Sequence, residues 1–112
     1  MTDQIDYIEF PSINGTQTSS FFQTAFGWKI VSYGPSYSML DGAGIDGGID
    51  QTPDRVAATM AIIRTEDLDD AERRVVAAGG VITQPQFDFP GGRRFHFREP
   101  GGNELAVWIA RK

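Results

Sequence analysis

The sequence predicts an α+β domain in which one βαβββ element order occurs twice. Three observations predict it. Short runs of β-branched and aromatic residues are interrupted by only two stretches of helical periodicity. Those runs and stretches come in the same order in each half. The joint between helix and strand in the first half, Phe26-Gly27-Trp28-Lys29-Ile30, is echoed by Ala78-Gly79-Gly80-Val81-Ile82 in the second. A chain of 112 residues has room for one domain, residues 1–112, with module one at about 4–52 and module two at about 57–110. Two copies argue for a pseudo-symmetric domain and against a solenoid, which stacks more repeats to bury its core.

In module one, Ile5-Asp6-Tyr7-Ile8-Glu9-Phe10 reads as a strand that Pro11 closes. Asn14, Gly15 and Thr16 then offer the chemistry of a helix start, where side-chain oxygens accept from free backbone N–H groups. Phe21, Phe22, Ala25 and Phe26 follow at helical spacing, and Gly27 suits a left-handed cap. Trp28 to Val31 is the next strand, broken by Gly34-Pro35. Tyr37–Leu40 and Ile45–Ile49 form a hairpin around Asp41-Gly42-Ala43-Gly44.

Pro53-Asp54 marks the joint, and the order repeats. Met60 to Ile63 is a strand. Asp67 is positioned as a helix N-cap before the apolar stripe Leu68, Ala71, Val75 and Ala78. Gly79-Gly80 ends that helix, and Val81 to Thr83 begins a strand. Pro85, Pro90 and Gly91-Gly92 read as a loop. Arg94–Arg98 and Glu104–Ile109 flank the turn Glu99-Pro100-Gly101-Gly102-Asn103. Phe21, Phe22, Phe26, Ile63, Leu68 and Val75 are expected in the core.

Composition excludes several functions. There is no cysteine, hence no disulfide, thiolate metal site or Cys nucleophile. Met1-Thr2-Asp3-Gln4 lacks the basic and apolar regions of a secretory signal. No apolar run approaches the ~20 residues that span a bilayer. A cytoplasmic protein with no membrane partner is expected. The net charge of −5 disfavours nucleic acid as a partner, because phosphate backbones are repelled. No G-x-G-x-x-G opens a helix, so the paired glycines are turn residues and not a phosphate cradle.

The ordered set Ile8-Glu9-Phe10-Pro11, Phe21-Phe22, Phe26-Gly27-Trp28, Glu66-Asp67-Leu68-Asp69-Asp70-Ala71, Ala78-Gly79-Gly80 and Glu99-Pro100-Gly101-Gly102-Asn103 covers nearly the whole chain. It resembles the vicinal oxygen chelate superfamily, which contains glyoxalases, bleomycin-resistance proteins and extradiol dioxygenases. The nearest likeness is to short bacterial glyoxalase-like proteins. The resemblance implies two pseudo-symmetric βαβββ modules forming a cupped sheet with helices on the outer face, a small ligand in the cup, and a homodimer. Fold alone does not give the chemistry.

Metal-dependent members of that superfamily hold a divalent ion with His on the first strand of each module and Glu on the last. By the same resemblance those positions fall here on Tyr7, Met60, Ala106 and Gly48. Met, Ala and Gly offer no side-chain ligand to a hard cation, and a phenol with an ordinary pKa near ~10 is an unusual one. No metal cofactor is expected. The alternative is a displaced divalent site built from His96, Glu9 and Glu104.

Strand alternation places Glu9 on the face of Tyr7 and Glu104 on the face of Ala106, with His96 opposite Ala106. His96 is the only histidine and the candidate acid/base. Arg94, His96 and Arg98 alternate on one strand, and Arg64 ends another; such a set suits a carboxylate, phosphate or enolate. Tyr7, Tyr37, Met60 and Trp108 are the candidate apolar walls. These residues support two functions. One is a metal-independent protein that binds a small organic molecule, with an acidic group meeting Arg94, His96 or Arg98. The other is an enzyme, a glyoxalase-type lyase or isomerase using His96 with a displaced metal or as a metal-free acid/base.

Overall fold

The computed structural model describes residues 3–111. Among them are two helices and eight strands, in the order βαβββ followed by βαβββ. The residues group into two compact units. The first unit is Tyr7–Met60; the second combines the described residues up to Asp6 with those from Ala61 onward. The α+β class and the repeated element order are those the sequence predicts.

The first unit holds β1 (Gln4–Pro11, from Tyr7 on), α1 (Gly15–Phe26), β2 (Lys29–Ser32), β3 (Tyr37–Asp41) and β4 (Asp46–Asp50). Its strands lie in the order β2-β3-β4-β1. Pairs β2–β3 and β3–β4 are antiparallel, and β1–β4 is parallel. A parallel pair needs a long crossover, which α1, β2 and β3 provide. Asn14 caps α1 by accepting from the Gln17 N–H at 3.1 Å. Gly27 ends it with φ 74°, donating its N–H to the Gln23 carbonyl. Leu40 and Ile49 are the buried apolar residues of the helix-facing side of this sheet.

Two expectations for α1 fail. Phe21 and Phe26 are each 60% exposed, so they are not core. Phe22, partly buried, packs on Phe10 and Trp28, while Phe26 stacks on Trp28 and Phe21 meets Phe22 and Phe26 edge-on. No residue of the helix is fully buried. Helical spacing showed which residues share a side of α1, not that this side meets the sheet.

The second unit holds β5 (Met60–Arg64, from Ala61 on), α2 (Leu68–Ala77), β6 (Val81–Phe89), β7 (Gly92–Arg98) and β8 (Glu104–Ala110). Its order is β5-β8-β7-β6, with β5–β8 parallel and the other pairs antiparallel. Asp67 caps α2 by accepting from the Asp70 N–H at 3.0 Å. Leu68 and Ala71 of α2 pack with Phe95, Phe97 and Val107, with Ile63, Val75, Ile82, Leu105 and Ile109 around them. Ala78, read from sequence as part of the stripe, is exposed at the C-cap. Arg74 donates to Asp3 at 2.8 Å and holds that carboxyl below the usual range.

The segment read as a loop from Pro85 is strand as far as Phe89. Strand β6 is the last in the unit's order, so the missing N–H of Pro85 need not break a ladder on both sides. Its register against β7 shifts between Ile82 and Gln84 and again between Gln84 and Phe87, which absorbs the proline as bulges. Only Phe89-Pro90-Gly91-Gly92 turns. Gly92 is required there, since a Cβ would lie 2.0 Å from the Ile109 carbonyl oxygen.

Candidate functional site

In the second unit, α2 covers one face of the sheet and the other face carries the polar residues. Cross-strand pairing aligns them in rows. Arg64 pairs with Trp108, Trp108 with Arg94, and Arg94 with Phe87. The next row runs Ile62, Ala106, His96 and Gln84; Glu104 and Arg98 pair beyond it. Arg64, Arg94, His96, Arg98, Glu104 and Trp108 therefore share a face by strand alternation. The opposite set, Phe95, Phe97 and Val107, packs with α2.

The first row is an alternation of cations and rings. The Arg64 guanidinium lies 5.1 Å from the centre of the Trp108 ring. The Arg94 guanidinium lies 5.7 Å from Phe87 and 5.8 Å from Phe89. Phe89 in turn leans on Trp108 at 6.1 Å. Trp108 is fixed by its Nε1–H, which donates to Asp6 at 2.9 Å. Cation–ring contacts of this kind contribute roughly 0.5–1 kcal/mol at exposed sites. They hold the guanidinium planes against the rings through their faces. Arg64 is exposed, and Arg94, Trp108, Phe87 and Phe89 are half-buried, so this row meets solvent.

His96 sits behind the row and is buried at 5% exposure. Arg94 approaches its Nε2 with Nη2 at 2.9 Å and Nε at 3.2 Å. A guanidinium can only donate, so Nε2 accepts and the ring proton stands on Nδ1. Nδ1 lies 3.8 Å from the Glu104 carboxylate. Glu104 also accepts from the Thr83 hydroxyl at 2.8 Å and lies 3.7 Å from Arg98. Arg98 donates to the Gly102 carbonyl at 3.0 Å and is exposed.

In the first unit, the face turned away from α1 carries Tyr7, Glu9, Tyr37 and Gly48. Tyr37 donates to Glu9 Oε2 at 2.9 Å, and the Tyr7 and Tyr37 hydroxyls are 2.7 Å apart. A hydroxyl has one proton, so Tyr37 accepts from Tyr7 and the chain runs Tyr7 to Tyr37 to Glu9. Glu9 is buried at 5% exposure. Burial, and then the nearby Glu9 carboxylate, push the Tyr37 phenol well above its ordinary pKa. Tyr7 and Tyr37, expected as apolar walls, are also hydrogen-bonded through their hydroxyls.

The phenols meet over Gly48. A Cβ at that position would lie 2.1 Å from the Tyr37 oxygen and 2.4 Å from the Tyr7 oxygen. Gly48 pairs with Glu9 in the parallel β1–β4 ladder, so the strand that carries the first-strand residue lies directly beside it.

Comparison with known proteins supplies the family. The sequence profile of the Glyoxalase/Bleomycin resistance protein/Dioxygenase superfamily matches residues 4–107. The chain belongs to that superfamily. None of the curated proteins matches it. Among solved structures it is similar to a glyoxalase/bleomycin resistance protein/dioxygenase superfamily member from Vibrio splendidus 12B01, at 14% identity and TM-score 0.73, covering 96% of this chain and 99% of that one. It is similar to a hypothetical protein from Bacillus halodurans C-125 at 7% identity and TM-score 0.81, covering 100% of this chain and 97% of the other. It is also similar to the Mn(II)-bound glyoxalase from Novosphingobium aromaticivorans at 17% identity and TM-score 0.71, covering 95% of this chain and 38% of that one. Identities this low show the fold alone.

The metal of glyoxalase-superfamily enzymes does not fit the residues present here. Met60 and Ala106 are buried at 1% and 0% exposure and carry no hard donor. At Gly48 even a Cβ collides with two phenol oxygens, so the space for a longer acidic side chain is taken. Among the described residues, no three His, Cys, Asp or Glu side chains gather in a group that could hold an ion. The sequence reading missed Phe87, Phe89, Asp6 and Thr83. The alternation Phe87-Asp88-Phe89 carried a strand signal, which the flanking prolines masked.

Proposed function

We propose that this superfamily member binds a small organic molecule without the family's usual metal. The ligand's acidic group meets Arg64 and Arg94 on either side of Trp108. The observation that carries this reading is the in-register row Arg64–Trp108–Arg94, where two guanidiniums flank one indole at the solvent-reachable part of the face. Guanidinium donors match the planar oxygens of a carboxylate, and a charge-assisted pair is roughly twice as strong as a neutral one. The aromatic rings supply apolar contact to the rest of the ligand. The mismatch of Gly48, Met60 and Ala106 with the superfamily's ligands supports the metal-independent part.

The test is metal content of protein purified without chelator, with melting shifts on adding Zn, Ni, Mn or Fe(II), and then on adding a panel of small carboxylic acids. Stabilisation by acids alone, through mass action, is the expected result. About one metal per chain, or stabilisation by an ion, overturns the metal-independent part. No shift with any acid overturns the choice of ligand.

A second reading follows from the contact between His96 and Glu104. A carboxylate facing Nδ1 is the arrangement that orients a catalytic imidazole, which a metal-free lyase or isomerase of glyoxalase type requires. It ranks second because Arg94 already donates to Nε2, the nitrogen that would take a substrate proton. His96→Gln separates the readings: loss of turnover with the fold retained favours the enzyme, and unchanged ligand affinity with no turnover in either protein favours the binder.

A further inference from the structure

The first unit has a pocket on the opposite face of its sheet from Tyr7 and Glu9. It has a volume of 470 Å³ and lies between α1 and the strands β2 to β4. That volume is in the range of pockets that hold small molecules, ~300–1,000 Å³. Its lining is unusual for the space beneath a helix. Thr16, Ser19, Ser20 and Gln23 come from one side of α1, at the spacing that places residues on a common helical face. Ser32 and Ser38, paired across β2–β3, face them from the sheet. None of the residues that line the pocket is charged.

The helix is held over this space from its ends and flank, not by a buried stripe. Gln51 ties its start: the side-chain carbonyl accepts the Gly15 N–H at 2.7 Å, and the amide donates to the Pro35 carbonyl. Gly15 permits this, since a Cβ there would lie 2.8 Å from the Gln51 side chain. Phe22 anchors the far flank on Phe10 and Trp28. Among the described residues, the side chains of Thr16, Ser19, Ser20, Gln23 and Ser38 make no hydrogen bond to the protein. Thr16, Ser20 and Gln23 are exposed and Ser19 and Ser38 half-buried, so their donors and acceptors are open to solvent and to a molecule lying in the pocket.

We propose that this pocket binds a neutral, hydroxyl-rich molecule of about the size of a sugar. Hydroxyl and amide side chains both donate and accept, so they match a ligand whose groups do the same. The absence of charge from the lining gives an ionised ligand no partner to offset its desolvation. Apolar contact comes from Ile30 and Ile49 on the sheet. This site is independent of the acidic-ligand face in the second unit.

The test uses ¹⁵N-labelled full-length protein titrated with D-glucose, D-ribose and N-acetyl-D-glucosamine, with sodium benzoate as the charged control. Saturable amide shifts in residues 15–23, 32–38 and 49–51 with at least one sugar, and none there with benzoate, are expected. Ser38→Val and Ser19→Leu should each weaken that titration about tenfold, the loss of roughly one good hydrogen bond. Valine suits a strand and leucine a helix, so the two variants are unlike in fold risk and either one suffices. No saturable shift from any of the three sugars, equal shifts with benzoate, or unchanged titrations in the variants overturns the proposal. In the first of those cases, stabilisation by Ser19→Leu identifies the space as a packing gap.

Discussion

The Tyr37 hydroxyl occupies the space that a side chain at residue 48 would need, 2.1 Å from where a Cβ on Gly48 would stand. One glycine thus permits the hydrogen-bonded chain from Tyr7 through Tyr37 to Glu9. On the proposed metal-independent reading, this glycine stands near the place where the family resemblance puts an acidic metal ligand. The phenol pair and a metal-ligating side chain are mutually exclusive occupants of this place.

Gly48→Ala should therefore destabilise the protein by about 1–3 kcal/mol, the usual cost of forcing extra volume into a packed site. Adding Tyr37→Phe removes the nearer of the two oxygens that the methyl meets, so the double variant should lose less than the sum of the two single changes. Denaturant unfolding of the four proteins measures this. Strict additivity would show that the two residues do not compete for one space.

Arg94 fixes the tautomer of His96. Nitrogen-15 spectra of the imidazole should show the proton on Nδ1 and Nε2 as the acceptor. Arg94→Gln should shift that balance, because an amide can donate or accept where a guanidinium only donates. An Nε2-protonated ring in the wild type would contradict the geometry of this pair.

Glu99 organises the turn between β7 and β8. Its carboxylate accepts from the backbone N–H groups of Gly101 and Asn103, and these bonds hold its pKa below the usual value. A depressed folded-state pKa contributes stability that is complete above the unfolded value, roughly pH 4.3, and is lost as pH falls through the folded value. The melting temperature of wild type should thus exceed that of Glu99→Gln at neutral pH, with the gap closing in acid. A gap that is constant from pH 7 to 3 would show that the charge of Glu99 plays no part.

The second unit rests on Phe95, which is fully buried beneath α2 with Phe97 and Val107. Phe95→Ala should cost about 3–5 kcal/mol. Chemical denaturation gives the value, and a loss under ~1 kcal/mol would mean that this cluster is not the core of its unit.

Much of this fold is legible in the sequence because local signals agree with it. Asp67 before Leu68 and Ala71 marks both the start of α2 and its buried side, and the turn from Glu99 to Asn103 sets the register that places His96 opposite Ala106. Alternation alone puts Arg94, His96 and Arg98 on one face. Helix α1 was misread because Phe21 and Phe26 carry the apolar periodicity while Thr16, Ser19 and Ser20 line the space against the sheet. Pro85 suggested a break because sequence does not show that β6 has a neighbour on one side only. The Tyr7–Tyr37 bond joins residues 30 positions apart through β4, a relation no local pattern encodes.

The most direct test of the central claim is a fluorescence titration of Trp108 with benzoate in the presence of EDTA, in a Trp28→Phe background that leaves Trp108 as the only indole. A saturable change that EDTA does not affect, and that Arg94→Gln weakens tenfold or more, is the predicted result; a charge-assisted hydrogen bond accounts for a loss of that size. A response that appears only after a divalent ion is added, or one that Arg94→Gln leaves intact, would contradict metal-independent binding at the Arg64–Trp108–Arg94 row.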